Sequence, residues 1–225
     1  MKKTILVTLL AIITFAFCGC GASPTDLALE NLAEVRYNIF SGENDTYVAT
    51  FMSGKRETPY VVNGVCEKQV EFGMVTVKYR SPDMPTVAQY ELTIGENTFK
   101  GNLEYNAYES TLMVDIQKVV SDDAQITLKV ITNQDEKTCA LQPKTKGMEI
   151  TWRTALDIAI ETFGDDFDAY VSKGTFNGEV YVKIITDLNG NFDDYYWYVS
   201  VVGTNGKTCS VIINPQSGEV IAKNC

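Results

Sequence analysis

Short runs of alternating apolar and polar residues fill most of the chain between residues 35 and 131, with turn-forming residues between them. Val35, Tyr37 and Ile39 alternate with polar residues, and the turn SGEND leads back into TYVATFM. Later runs of this kind are MVTVKYR, VAQYELTI, TFKGNLEYN, STLMVDI and ITLKVI. Because strand side chains alternate between the two faces of a sheet, the pattern predicts strands with one buried face. We therefore expect an all-β sandwich over residues 26–140, and the immunoglobulin-like sandwich is one form of it.

The second part of the chain begins with a helical pattern. Thr151 can cap the start of this helix and Gly164 can end it. One face of the helix would carry Trp152, Ala155, Leu156, Ala159, Ile160 and Phe163. Four strand candidates follow, namely VYVKIIT, YYWYVSVV, TCSVIIN and EVIA, separated by Asn-Gly and PQSG turns. Since residues 141–148 are polar and contain proline and glycine, they predict a linker before a small helix-plus-antiparallel-sheet domain over residues 149–225. The predicted fold class is α+β.

The turns also predict which strand residues share a face. If each Asn-Gly pair forms a two-residue turn, Val199 lies opposite Val180 on one side and Ile212 on the other. The helix then packs on the face that holds these residues. The opposite face would carry Tyr181, Lys183, Ile185, Tyr196, Tyr198, Val211, Ile213, Val220 and Ala222.

This second face is too apolar for a freely solvated sheet. One interpretation is that it packs on the first domain or on a short helix near residues 26–34. The other is that it binds a partner, with Tyr181, Lys183, Tyr196 and Tyr198 as the candidate contact residues, because tyrosines provide a large and stiff contact area.

The helix segment ALDIAIETFG, the strand YWYVSVV and the ending VIINPQSGEVI resemble the PepSY domain, which occurs in propeptides of secreted metallopeptidases and in bacterial surface proteins. The similarity covers residues 149–223. It implies a non-catalytic module that binds or restrains a peptidase or another cell-envelope protein, and we expect any such restraint to act on a separate chain. The alternative is a structural or accessory lipoprotein whose sandwich domain makes the contacts.

The N-terminus predicts export and attachment to a membrane. Lys2 and Lys3 precede an apolar stretch over residues 5–17, which has the length of a signal-peptide core and is too short to span a bilayer. The sequence Phe17-Cys18-Gly19-Cys20 resembles the lipobox of bacterial lipoproteins. This resemblance implies lipidation of Cys20, with residues 1–19 as the signal peptide and 20–25 as a spacer. A lipid-anchored, extracytoplasmic protein is expected, and an ordinary secretory peptide is the alternative.

Charge and composition limit the chemistry of the chain. The net charge of −10 disfavours nucleic acid as a partner, since nucleic-acid binding needs clustered basic residues. The chain has no histidine, so it lacks the usual general base and the commonest zinc ligand. A carboxylate-based enzyme is the remaining catalytic alternative. We expect a non-enzymatic protein without a cofactor.

Two further groups of residues could bind metal or form disulfides. In DLNGNFDD, alternate residues could ligate calcium, but the glycine and the twelfth position depart from an EF-hand, so a polar hairpin turn explains the segment better. The weak metal candidates are Asp187, Asn189, Asn191 and Asp193. In an exported protein, pairing within each domain would join Cys66 to Cys139 and Cys209 to Cys225, and four free thiols are the alternative.

Overall fold

The computed structural model describes residues 22–82, 84–186 and 195–225. Within this part of the chain, three helices accompany fourteen strands, so the fold is mostly β. The helices are α1 (Pro24–Glu30), α2 (Trp152–Phe163) and α3 (Asp165–Asp168). The strands are β1 (Leu32–Glu43), β2 (Tyr47–Glu57), β3 (Gln69–Tyr79), β4 (Ala88–Ile94), β5 (Asn97–Asn106), β6 (Thr111–Ile116), β7 (Ile126–Ile131), β8 (Glu136–Pro143), β9 (Val171–Ser172), β10 (Thr175–Phe176), β11 (Gly178–Thr186), β12 (Tyr195–Gly203), β13 (Thr208–Ile213) and β14 (Val220–Asn224).

Eight strands close into an antiparallel barrel. Their order is β1-β2-β3-β6-β5-β4-β7-β8, and β8 returns to β1 through the pairs Phe40↔Pro143 and Ser41↔Gln142. A barrel of this strand number is just wide enough for side chains to fill it. The strands contribute a core of buried apolar side chains that includes Phe40, Tyr47, Phe51, Val75, Leu92, Leu112, Leu128 and Leu141.

Strand β1 also belongs to a second group of strands. Its first residues pair in parallel with β11, at Leu32↔Val180 and Val35↔Val182. Strands β12, β13 and β14 then follow β11 in antiparallel order. We call β11–β14 the extension sheet. Because β1 pairs with both groups, the barrel and the extension sheet form one continuous set of twelve strands.

Helix α2 covers one side of the extension sheet. The backbone N–H of Thr154 donates to Thr151 Oγ1 at 3.2 Å, and Gly164 follows the last residue, so both predicted helix ends are confirmed. The predicted apolar stripe is buried apart from Trp152, which is half-buried. A second core therefore forms between helix and sheet, and it includes Ala28, Leu156, Ala159, Phe163, Val182, Val199, Val211 and Ile213.

The predicted α+β architecture, with a sandwich followed by a separate PepSY-like helix-plus-sheet domain, is wrong. The observed fold is mostly β, with a closed eight-stranded barrel and extra strands. Alternation along each strand is the same in a sandwich and in a barrel, because both bury one face. The predicted linker 141–148 begins inside β8, and Lys144 N donates to the carbonyl oxygen of Ile39 in β1 at 2.8 Å.

The predicted strand register is also corrected. Val199 lies opposite Val182 and Val211, in place of Val180 and Ile212. The pairing of β11 with β12 differs from the prediction by two residues, which keeps every side chain on its predicted face. The pairing of β12 with β13 differs by one residue, which exchanges the two faces of β13. The one-residue shift arises from the turn after β12, where Gly203 N donates to Lys207 O at 2.8 Å and Gly206 has φ +79°. This turn is a three-residue loop with a left-handed glycine.

Candidate functional site

The candidate site is the side of the extension sheet that faces away from helix α2, which we call the outer face. Its residues alternate with buried core residues along β11 and β12. The register of β13 places Val211 and Ile213 in the core on the helix side, and Val220 packs against the same core. These three residues were predicted on the outer face and are not part of it. The outer face therefore contains Tyr181, Lys183, Ile185, Tyr196, Tyr198 and Ile212.

Residues 58–68, which join β2 to β3, cover the part of the outer face nearest the barrel, and we call them the cover loop. The ring of Tyr60 meets the ring of Tyr181 edge to face, with 6.4 Å between centroids. Lys183 Nζ donates to the Tyr60 hydroxyl at 2.9 Å and lies 4.5 Å from the centroid of the Tyr181 ring. Gly64 lies so close to the turn after β12 that an added Cβ would be 2.4 Å from the backbone nitrogen of Thr204. Tyr181 and Lys183 are therefore packing residues rather than open contact residues.

An ion-pair cluster holds β1, β11 and the cover loop together. Glu34 is only 3% exposed, and its Oε1 lies 2.6 Å from Arg36 Nε. Its Oε2 lies 2.9 Å from Lys183 Nζ and accepts a hydrogen bond from the Tyr60 hydroxyl at 2.7 Å. Burial favours a raised pKa for Glu34, but the two cations and the hydroxyl outweigh it, so the pKa of this carboxyl lies below its ordinary value. Burial lowers the pKa of Lys183, and the charge of Glu34 opposes this effect.

The other part of the outer face is open to solvent. Ile185, Tyr196, Tyr198 and Ile212 are half-buried, and Ile221 at the sheet edge is exposed. The cover loop also carries exposed apolar side chains, namely Tyr60, Val61, Val62 and Val65, and Tyr60 contacts Lys183, the strand partner of Tyr198. We call the two groups together the apolar strip. Groups of exposed apolar side chains are typical of interaction sites.

A pair of buried acids lies beneath the cover loop. Glu57 is 1% exposed and Glu179 is fully buried, beside the buried Tyr181. Glu57 Oε2 accepts a hydrogen bond from Glu67 N at 3.0 Å. Glu57 Oε1 and both carboxylate oxygens of Glu179 have no hydrogen bond of ordinary geometry among the described residues. The Tyr181 hydroxyl lies beside the Glu179 carboxylate, and burial together with this carboxylate raises the pKa of Tyr181. Sequence reasoning missed these acids, although Glu179 alternates with Tyr181 and Lys183 in the strand sequence GEVYVK.

Burial and nearby charges shift the pKa of Glu57 and that of the neighbouring Cys66 thiol. Burial is the main reason for the raised pKa of Glu57, and the nearby Glu179 adds to it. Burial also raises the pKa of the Cys66 thiol to about 11, with further contributions from Glu57, Glu179 and Glu67. The Cys66 thiol is therefore protonated at neutral pH.

Within the described residues, the cysteines form one disulfide and two free thiols. Cys209 is bonded to Cys225, whereas Cys66 and Cys139 are free, in place of the second disulfide that the sequence suggested. An irregularity between Ile212 and Ile213 changes the register with β14, so that Ser210 lies opposite Asn224 and the last residue reaches Cys209. The Asp166 carboxylate lies near this disulfide, but it pairs with Lys223 at 2.9 Å and both sulfur atoms are bonded to each other.

Several predicted features lie outside the described residues. These are the lipidation candidate Cys20 and the weak calcium candidates Asp187, Asn189, Asn191 and Asp193. In the part of the chain that the structure describes, no helix has the length and apolar character needed to cross a bilayer.

A cavity of about 730 Å³ lies at one end of the barrel. Tyr47, Tyr79 and Val130 line it, together with the turn between β7 and β8. The Tyr47 hydroxyl donates to the carbonyl oxygen of Lys137 at 2.9 Å, and the Lys137 side chain pairs with Asp45 at 3.3 Å. The polar groups at this end of the barrel thus bond to one another.

Comparisons with known proteins add no assignment to this geometry. The chain matches no protein-family model, no curated protein and no solved structure.

Proposed function

We propose that this protein is a lipid-anchored extracytoplasmic lipoprotein that binds a protein partner without catalysing a reaction. The lipobox-like sequence around Cys20 supports the anchor. The partner would be a peptidase or another cell-envelope protein, and the apolar strip would be its contact surface.

The exposure of the apolar strip is the observation that carries this proposal. The strip combines half-buried Tyr198 and Ile212 on the sheet with exposed Val61, Val62 and Val65 on the cover loop. Tyrosines give contact area at low entropic cost and are typical anchors of protein interfaces, and the valines would add apolar area around them. The proposed contact residues are thus Tyr196 and Tyr198, while Tyr181 and Lys183 position the cover loop.

The chemistry of the chain supports a binding role over catalysis. There is no histidine to act as a general base. The acids Glu57 and Glu179 are covered by the loop and lie beyond the reach of a substrate in solution. Glu34 is neutralised by its two cationic partners, Arg36 and Lys183.

Photo-crosslinking in the native host tests the contact surface. A benzophenone amino acid replaces Tyr198 in one strain and Tyr108, which is fully exposed after β5, in a control strain. We expect a discrete adduct of defined mass from position 198 and none from position 108. Absence of an adduct at position 198, or the same adduct at both positions, would contradict the proposal.

The anchor is tested separately by the intact mass of the protein from host membranes. The mass of a diacylglyceryl group on Cys20 as the first residue is expected. A mature chain that begins elsewhere, or that lacks lipid, would refute the anchor but would leave the apolar strip to be judged by crosslinking.

A second candidate function is a structural or accessory lipoprotein whose barrel makes the contacts. The cavity of about 730 Å³ at the barrel end favours this candidate, as does the packing of Tyr60 on the outer face. It predicts adducts from Tyr79, which lines the cavity, and none from Tyr198.

A further inference from the structure

The strongest unexplained feature is the set of unpartnered oxygens under the cover loop. Glu57 Oε1 and both carboxylate oxygens of Glu179 are buried without a hydrogen bond of ordinary geometry among the described residues, and the Tyr181 hydroxyl lies against the Glu179 carboxylate. Glu57 is 1% exposed, Glu179 is 0% exposed and Tyr181 is 2% exposed. Native proteins leave few buried polar groups unsatisfied, so several in one place indicate that something else occupies their hydrogen-bonding or coordination positions.

The local charges do not balance, because three buried carboxylates, Glu34, Glu57 and Glu179, share two cations and leave one negative charge over. Glu34 is matched by Arg36 and Lys183, which lie 2.6 Å and 2.9 Å from its oxygens. Glu57 and Glu179 take part in no ion pair in the described parts of the chain. Burial of an unpaired carboxylate costs several kcal/mol, on the order of the ionic desolvation penalty in proteins. A bound cation or a shared proton must offset this cost.

The donor atoms identify the class of cation. All the unpartnered atoms are oxygens, and carboxylate oxygens are the preferred ligands of hard cations. The Cys66 thiol, whose pKa is raised by burial and further by these acids, stays protonated and donates to the carbonyl oxygen of Leu32 at 3.2 Å. Zinc and copper prefer thiolate or imidazole ligands, whereas the chain has no histidine and the Cys66 thiol is protonated, so the donor set favours calcium.

We propose that Glu57 and Glu179, with the Tyr181 hydroxyl beside them, bind one Ca²⁺ between β2, β11 and the cover loop. Water molecules complete the coordination shell, as is common at protein calcium sites. One divalent ion between the two carboxylates supplies the positive charge that this group of residues lacks. This site is separate from the weak candidate at residues 187–194.

Cation binding would also stabilise the cover loop. Glu57 ends β2 at the start of the loop, and its second oxygen accepts the hydrogen bond from Glu67 N near the end of the loop. The ion therefore fixes a residue that already joins the two ends of the loop. Its removal is expected to loosen the loop residues from the outer face.

Calcium titration of the full chain in detergent, after removal of metal with EGTA, tests the site. We expect a Kd on the order of 10⁻⁴–10⁻³ M, as at extracellular calcium modules. At ten times this Kd, the ratio of folded to unfolded protein should rise about 11-fold, seen as a higher thermal midpoint.

Variants separate a specific site from general attraction of Ca²⁺ to an acidic protein. Glu179→Gln should unfold in EGTA at a midpoint equal to or above that of the wild type, because it removes a buried charge, and it should lose the calcium-dependent rise. Glu57→Gln should lose the rise as well. The control Glu104→Gln, at an exposed position of β5, should keep it.

Three results would overturn the proposal. The first is a wild-type midpoint that calcium leaves unchanged, which would mean that the acids share a proton only. The second is a calcium-dependent rise that persists in both Glu179→Gln and Glu57→Gln. The third is loss of the rise in Glu104→Gln, since it would place the ion on the protein surface.

Discussion

The ion-pair cluster around Glu34 predicts strong energetic coupling between Glu34 and Lys183. In Lys183→Met, Glu34 keeps Arg36 and Tyr60 but loses the ammonium group at 2.9 Å. The Glu34 side chain is 4% exposed and that of Lys183 is 19% exposed, so solvent screens the pair weakly. Loss of one charged partner from a buried pair costs about 3–5 kcal/mol. Because two partners remain, we expect a loss of about 2 kcal/mol, within the range for hydrogen bonds to charged groups.

The double-mutant cycle isolates this coupling. Glu34→Gln should cost a similar amount because it leaves Lys183 buried without its carboxylate. The double variant Glu34→Gln/Lys183→Met should cost little more than either single change, so the coupling energy is about 2 kcal/mol. Urea unfolding, followed by the fluorescence of Trp197 in the second core, measures all four proteins.

A surface pair provides the control for the cycle. Lys100 and Glu91 are joined at 2.7 Å on the barrel, but their side chains are 63% and 31% exposed. Lys100→Met should therefore have a much smaller effect that disappears in salt, whereas the effect of Lys183→Met persists. If the Glu34 and Lys183 changes add within about 0.5 kcal/mol, the cluster does not hold β1, β11 and the cover loop together.

Three further predictions concern stability. The bond between Cys209 and Cys225 spans 16 residues, so reduction should cost about 3 kcal/mol in urea unfolding, and Cys209→Ser should match the reduced chain. Burial raises the pKa of Glu57 in the folded protein. In EGTA, its contribution to stability is therefore greatest below the unfolded pKa of about 4.3, and it falls as pH rises through the folded pKa. Glu57→Gln should flatten this part of a plot of the thermal midpoint against pH. Gly64→Ala should lower the thermal midpoint more than Gly95→Ala, because both glycines have positive φ but only Gly64 lies against a neighbouring backbone.

Local features of the fold could be predicted because neighbouring residues determine them. Thr151, the apolar stripe and Gly164 define α2 within one segment. The turn at Asn205-Gly206 was harder, because the same dipeptide fits a two-residue turn and the observed three-residue loop with Gly206 left-handed. That difference of one residue moved Val211 and Ile213 into the core.

Long-range features could not be predicted from local patterns. Closure of the barrel depends on the short pairing of β8 with β1 around Phe40. No local sequence pattern indicates this pairing. The cover loop has no periodicity to predict that Tyr60 packs on Tyr181. Acids in strands usually face solvent, so the burial of Glu57 and Glu179 follows only once this loop is in place.

Oxidative footprinting of Tyr198 in host membranes is the most direct test of the central claim that the apolar strip binds a partner. The same dose of hydroxyl radical is applied to membranes and to the purified full chain, with the fully exposed Tyr108 as an internal reference. We predict that Tyr198 is labelled several-fold less in membranes than in the purified protein, while labelling of Tyr108 is unchanged. Equal labelling of Tyr198 in both preparations would contradict the account.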